Sequence, residues 1–297
     1  LDIIKAITLG IVQGISEFLP ISSTAHLKII PILLGWPDPG AKISAIIQLG
    51  TLIAVLVYFA RDIGNTISGM IKAFSPGGNK NSPEARLGIA VIIGTIPVCI
   101  LGLALKHYIE GVFRGMTVIA ITQIVMAILL FVVERMTQSH SFAQEESASG
   151  KVGNASSKRP IESISLKDGA IVGIAQCLSL VPGASRSGST LIGAFLTGLT
   201  REAAVRFSFL LSIPAVLISG LYELYKLKSE APDPNVMQLS SMSLIIATLV
   251  AGLVGYASIA WLLKYLARHS TIVFVVYRIL LGILLLGLIG GKYIAGN

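Results

Sequence analysis

Two short stretches of this sequence concentrate side chains able to handle a phosphate. The first holds Gln13, Glu17, Ser22, Ser23, Thr24 and His26; the second holds Ser185, Arg186, Ser187, Gly188, Ser189 and Thr190. Glu and His are acid–base groups that burial and neighbours can tune to work near neutral pH. A serine beside such a base can attack phosphorus, and an arginine fork can stabilise charge on phosphoryl oxygens. Gln13 and Glu17 are four residues apart, so on one helix they share a face. Each stretch lies just before an apolar run. Ser and Thr are natural N-caps there, and the free N–H groups of a helix start make an anion site. If both helix starts and Arg186 converge, they form a site for a multiply charged anion, and phosphate or diphosphate fits better than a carboxylate. Plainer roles stand beside these: the hydroxyls could be caps alone, and Glu17 and Arg186 could pair as structural glue.

The elements that must position these residues are apolar. Of 297 residues, 54% are hydrophobic and 13% charged, with mean hydropathy +0.81. A soluble domain carries about 25% charged residues, so this composition excludes one. Segments 43–60, 87–105, 116–133, 204–221, 242–263 and 271–289 read as full spans. Regions 3–34 and 169–199 do not, because the two polar stretches interrupt them. Their apolar pieces, of about 10 to 16 residues, are too short to cross a bilayer and suit re-entrant segments. Irregular backbone and ionisable groups survive at such depth only where protein buries them or a wet cavity meets them.

The interruptions sit in matching places. Gly10-Ile11-Val12-Gln13 precedes the first and Gly173-Ile174-Ala175-Gln176 the second, and three spans follow each. The expected fold is therefore an all-α integral membrane protein, a single membrane domain over 1–297. It has six full transmembrane helices plus two re-entrant broken-helix pairs. Residues 1–133 form a first repeat and 168–297 a second, joined by a flexible polar linker over 134–167. A hairpin plus an odd number of spans makes the second repeat inverted, an arrangement that brings broken helices together at mid-membrane. Residues 137–167, rich in Ser, Gln, Glu, Lys and Gly, read as connection rather than domain.

The net charge of +8 lies in connecting loops, with no basic face interleaved with aromatics, so no nucleic-acid partner is expected. Loops 61–86, 134–168, 200–203 and 264–270 share one face and carry about twelve Lys and Arg. The other face, with both termini and loops 35–42, 106–115 and 222–241, carries about half as many. The positive-inside rule then places both termini outside the cytoplasm. Cys99 and Cys177 stand singly in apolar segments and read as packing residues. No cleavable signal is expected, since no basic region precedes the first polar motif, and Leu1 in place of Met suggests a trimmed chain.

The run from Gln13 to His26, Gln13-Gly14-Ile15-Ser16-Glu17-Phe18-Leu19-Pro20-Ile21-Ser22-Ser23-Thr24-Ala25-His26, closely resembles the first signature of the undecaprenyl-diphosphate phosphatases, the bacitracin-resistance family. Pro182-Gly183-Ala184-Ser185-Arg186-Ser187-Gly188-Ser189-Thr190 resembles its second. Ile47-Gln48-Leu49-Gly50, Phe207-Ser208-Phe209-Leu210-Leu211-Ser212-Ile213-Pro214 and Tyr277-Arg278-Ile279 are further likenesses. The resemblance implies hydrolysis of undecaprenyl diphosphate to undecaprenyl phosphate and inorganic phosphate at the bacterial inner membrane. It also implies dependence on a divalent cation, Mg2+ or Ca2+, and an active site on the extracytoplasmic side. It marks Glu17, Ser23, His26 and Arg186 as catalytic, with Gln13 and Glu17 at a metal or acid–base position. Gln13 stands where the family often has Glu, and Ala25 where Gly is frequent.

The mechanism expected from this pattern has Arg186, the two helix starts and a cation holding the diphosphate. Ser23 attacks the terminal phosphorus while His26, oriented by Glu17, takes its proton. Attack by activated water is the nearest rival. A transporter or flippase of a phosphorylated lipid, which needs no nucleophile, is the alternative from another class, and a non-catalytic membrane partner is a third. The expected partners are a polyprenyl diphosphate and the lipid bilayer, with a homodimer left open.

Overall fold

Runs of Ile, Leu, Val and Ala with at most two charges in 18 residues build the long helices of this chain. A computed structural model describes residues 2–147, 159–229 and 236–296. Six of its helices are long and apolar enough to cross a bilayer: within Gly40–Tyr58, Pro83–Ala104, Met116–Thr137, Arg201–Lys226, Ser241–Leu266 and Ile272–Gly290. All six spans expected from hydropathy are present, and this is a multi-pass membrane protein. No strand occurs among the described residues. Leu103, Leu253 and Leu280 are among many large apolar side chains facing outward, as a lipid-facing surface requires.

In chain order the helices are α1 (Asp2–Ser16), α2 (Ser23–Leu33), α3 (Gly40–Tyr58), α4 (Ala60–Phe74), α5 (Pro83–Ala104), α6 (Lys106–Glu110), α7 (Met116–Ser147), α8 (Leu166–Gln176), α9 (Arg186–Leu196), α10 (Arg201–Ser229), α11 (Ser241–Leu266) and α12 (Ile272–Gly290). Of the expected linker, residues 148–158 lie outside the described residues. Its first part is not irregular: α7 runs on to Ser147. No Gly or Pro stands between Met116 and Ser147 to stop it, so polar composition there did not mean loss of helix.

Four short helices flank the polar stretches, α1 and α8 leading into them and α2 and α9 leaving them. Their 15, 11, 11 and 11 residues fall below the roughly 20 a span needs. α1 packs on α11 and α8 on α5, in each case through small residues. A Cβ on Gly10 would lie 2.6 Å from the Ala247 carbonyl oxygen, and one on Gly173 would lie 2.5 Å from Gly94. Only glycine permits backbones to approach that closely.

The two polar stretches share one backbone. Ser22 and Ser185, the N-caps of α2 and α9, have φ of 74° and 71°, a region costly for any residue but glycine. Gly35 and Gly198, just past the ends of those helices, have φ of 68° and 79°. Gly10 with Gly173, Gln13 with Gln176, the two caps, both helix ends and the two closing glycines all correspond at one constant offset in the numbering. The largest buried cluster lies around these loops, with Phe18 of the first stretch edge-on to Phe209 of α10 at 5.2 Å.

Candidate active site

Glu17 sits one residue past the end of α1, almost wholly buried, and four side chains donate to its carboxylate. Gln13 Nε2, one turn earlier, reaches Oε2 at 2.8 Å, and Ser23 Oγ reaches the same oxygen at 2.6 Å. Gln48 Nε2 from α3 donates to Oε1 at 2.6 Å, and Arg186 Nη2 from the start of α9 at 2.5 Å. A buried carboxylate stays ionised only with such partners. Ser23 therefore has a carboxylate oxygen as its immediate proton acceptor, and Arg186 is aimed by its pairing with that carboxylate.

Arg186 spends one nitrogen on Glu17. Its Nε and Nη1 are buried and have no hydrogen-bond partner among the described residues, leaving two N–H directions open in a charged group. The N-termini of α2 and α9 add free backbone N–H groups beside it; Ser22 Oγ caps Ala25 N and Ser185 Oγ caps Gly188 N. These groups share a cavity of about 450 Å³ lined by Gln13, Glu17, Ser22, Ser23, Thr24, Gln48, Ser185 and Arg186. Residues of α5 and α10 line it too, with Lys106, Arg114, Tyr222 and Glu223. The arrangement can bind an anion, deprotonate a serine hydroxyl and stabilise negative charge developing beside it.

Several expected site residues lie elsewhere. His26 contacts neither Glu17 nor Ser23. Its Nδ1 donates to the Ser22 carbonyl at 2.7 Å, leaving Nε2 to accept from the Tyr277 hydroxyl of α12 at 2.6 Å. The ring folds back over its own helix start toward α12, stacked on Tyr277, so the expectation that His26 takes the proton of Ser23 is corrected. The second stretch is corrected likewise. α9 is buried on all faces from Ser187 to Phe195, so only Arg186 and the helix start reach the cavity. Ser187 Oγ donates to the Leu19 carbonyl at 3.1 Å, Ser189 Oγ to the Ser185 carbonyl at 2.8 Å. Thr190 bonds the Arg186 carbonyl and the Ser208 hydroxyl, and the Gly188 amide is taken by Ser185. None of the four lines the cavity; they tie the loops together. Cys99, read as packing, is instead a cavity-lining residue.

Arg278 is the largest omission from the sequence-based site. It is fully buried within α12 and has no carboxylate partner among the described residues. Its Nη1 donates to the Pro20 carbonyl at 3.0 Å, its Nη2 to the carbonyls of Gly183 and Ala184 at 2.8 and 3.0 Å, and its Nε to that of Gln123 at 3.3 Å. One guanidinium thus fastens the two polar stretches to each other. Gln48, Gln123 and Arg278 share a signal that could have found them: each is a polar residue inside an otherwise apolar span, which marks a site by default.

Among the described residues no three His, Cys, Asp or Glu side chains converge as a metal cage. Glu17 lines the cavity together with Gln13 and Gln48, whose amide nitrogens bond its carboxylate. A carboxylate and side-chain amides are oxygen donors of the kind a hard divalent cation takes.

Known proteins share this sequence along its length. The family model described as bacitracin resistance protein BacA matches residues 6–284. An undecaprenyl-diphosphatase of Chloroherpeton thalassium is 46% identical over 97% of each chain. That of Chlorobaculum tepidum is 45% identical over 98% of each. That of Myxococcus xanthus is 47% identical, covering 97% of this chain and 90% of its own.

Proposed function

This chain belongs to the bacitracin resistance protein BacA family, and from that premise we propose how its own residues act on a lipid diphosphate. The protein hydrolyses undecaprenyl diphosphate to undecaprenyl phosphate and inorganic phosphate, which returns the lipid carrier to cell-wall synthesis. The observation that bears most on mechanism is the Ser23 hydroxyl held 2.6 Å from Glu17, beside the unpartnered nitrogens of Arg186.

Arg186 Nε and Nη1 and the two helix starts grip the terminal phosphate. Ser23 Oγ attacks the terminal phosphorus as its proton passes to Glu17 Oε2, and the bond from that phosphorus to the bridging oxygen breaks. Glu17 hands that proton to the bridging oxygen as undecaprenyl phosphate leaves, and water then cleaves the phosphoserine, the ionised Glu17 drawing the proton from water and returning it to Ser23 Oγ. His26 and Tyr277 keep the strained Ser22 carbonyl, and so the start of α2, in place. Glu17 with the amide oxygens of Gln13 and Gln48 would hold a divalent cation, Mg2+ or Ca2+, which neutralises diphosphate charge when bound.

We extend the proposal to topology. α1 with α2 and α8 with α9 form re-entrant pairs, and the halves are related by an inverted repeat. What supports this is the shared backbone of the two stretches and the reciprocal packing of α1 on α11 and α8 on α5. Lys106, Arg114 and Tyr222 line the cavity and belong to the face with fewer Lys and Arg, which supports an opening on the extracytoplasmic side.

Phosphate release from undecaprenyl diphosphate by purified protein tests the mechanism. The expected result is chelator-sensitive release that is abolished in Ser23→Ala and in Arg186→Ala. Full activity in Ser23→Ala would remove the serine nucleophile and leave water activated by Glu17. Movement of the lipid across vesicles without any release would instead favour a flippase.

A further inference from the structure

α4 begins where the span α3 has ended, and its 15 residues rise only about 22 Å, too little to cross a bilayer. It lies across the starts of two other spans. Asp62 pairs with Arg206, near the start of α10, at 2.9 Å. Further along, the helix rests on the first turns of α5. A Cβ on Gly69 would lie 2.4 Å from the Glu84 Cβ, and one on Gly88 would lie 2.2 Å from the Met70 Sδ. Both starts belong to the Lys- and Arg-rich face, so α4 runs along that surface rather than through it.

The protein covers one of its three faces, where Asp62 meets Arg206, Thr66 and Met70 meet Gly88, and Ala73 is buried. A second face, Gly64, Ile67, Ile71 and Phe74, is apolar and open, its three large side chains 53%, 65% and 63% exposed. The same steps of three and four residues run back through Ala60 to Val57 and Ile53, exposed on the flank of α3. The lipid-facing stripe of a span thus continues unbroken along α4, and the hydrocarbon that covers its first part reaches the second. The third face, Arg61, Asn65, Ser68 and Lys72, is polar and exposed. Both of its charges are positive, and the one acid of the helix, Asp62, is already paired. Lys80 adds a third cation. Its Nζ stands 5.3 Å from the centre of the Phe74 ring, at the edge of the apolar stripe.

We propose that α4 docks in the headgroup layer of the leaflet on this side and selects anionic phospholipid there. Ile67, Ile71 and Phe74 enter the acyl boundary, while Arg61, Lys72 and Lys80 meet lipid phosphates. A helix with one apolar and one basic face binds such a surface through buried area and charge together. Arg61 and Lys72 stand about 16 Å apart along the helix, so they meet different lipids, and no single small anion satisfies both. None of these residues lines the cavity, so this docking is independent of the hydrolysis.

Brominated lipids, which quench an indole on contact, test it. Ile67→Trp in a Trp36→Phe, Trp261→Phe background puts the only indole on the apolar stripe. The full chain is reconstituted in phosphatidylcholine vesicles carrying a minor share of dibrominated phosphatidylglycerol or of dibrominated phosphatidylcholine. The anionic lipid is expected to associate with the site about fivefold more strongly than the neutral one, or better. That preference should fall toward one at high salt, which screens surface charge, and in the triple variant Arg61→Gln, Lys72→Gln, Lys80→Gln. The salt series leaves the cations in place, so it reads their contribution even where the triple variant does not fold. Equal quenching by both lipids at low salt would overturn the anionic selection. Quenching by neither would show the stripe covered by protein, a second copy or another chain, and would overturn the docking itself.

Discussion

The two polar stretches have one backbone and two chemistries. Each turns through a serine at positive φ, starts an 11-residue helix, and closes on a glycine at positive φ. The residue after the cap is Ser23 in one and Arg186 in the other; where the first has Glu17, the second has Leu180. In the mechanism proposed above, the first stretch supplies nucleophile and base and the second supplies the guanidinium. The difference teaches that capping chemistry and glycine set the frame, while function is assigned by one or two positions hung on it. Glu17→Gln keeps the shape and the hydrogen bonds to Ser23 and Gln48 geometrically possible, but removes the base. We expect kcat to fall on the order of 10³–10⁴-fold. Leu180→Gln, the same side chain placed at the matching position of the second stretch, should cost less than about tenfold. Phosphate-release kinetics on the two variants measure the contrast, and equal losses would break it.

A second contrast sets Arg186 against Arg278. One keeps donors free at the cavity; the other commits its nitrogens to carbonyls of both stretches. Arg278→Lys cannot span those carbonyls and leaves some buried without a partner. A loss of about 2–4 kcal/mol in stability is expected, seen as a lower thermal midpoint in detergent. Arg186→Lys should leave that midpoint near wild type and lower kcat/KM about 10²-fold, because an ammonium lacks the planar fork. Reversal of this pattern would exchange the roles assigned to the two arginines.

The frame itself is tested more gently. Ser22→Ala and Ser185→Ala each lose a cap and keep a Cβ at positive φ, so each should cost about 1–2 kcal/mol. Ser22→Gly and Ser185→Gly relieve the φ strain and should cost only a few tenths. The two halves should respond alike; a cost confined to one would show that its cap is not the same device.

Most of the fold was legible because hydropathy and length are local properties. All six spans and both interruptions follow from where charge, Pro and Ser break apolar runs. What the sequence could not reveal was direction. Ser23 and His26 are three residues apart at a helix start, and spacing alone allowed them to meet. The structure turns His26 toward Tyr277, a partner 251 residues away. Likewise Ser187, Ser189 and Thr190 have the composition of an anion loop, but α9 is enclosed on every side, and enclosure depends on neighbours from α7, α8 and α10. Arg278 stood in plain view as a charge within an apolar span, and its reach to Pro20, Gly183 and Ala184 required knowing that both stretches meet beneath it.

The smallest contrast concerns how the two entering helices begin. α8 opens with a capping box in which Ser165 and Asp168 bond each other's backbone, and Arg159 pairs with Asp168 at 2.7 Å. α1 has only Asp2, exposed and 3.9 Å from Lys5. Burial alone would raise the Asp168 carboxyl, but the hydrogen bonds from Arg159 and Ser165 outweigh it and hold the group below the ordinary carboxylate range. The folded state thus binds this proton less readily than the unfolded chain. Its contribution to stability is complete above the unfolded value near 4 and is lost as pH falls through the depressed folded value. Asp168→Asn should therefore lower the thermal midpoint at pH 7 by an amount worth about 1 kcal/mol and flatten its decline below pH 4. Asp2→Asn should change the midpoint by no more than a few tenths of a kcal/mol at either pH. A midpoint in Asp168→Asn that still tracked acid as the wild type does would place the acid-sensitive group elsewhere and leave the two helix starts energetically alike.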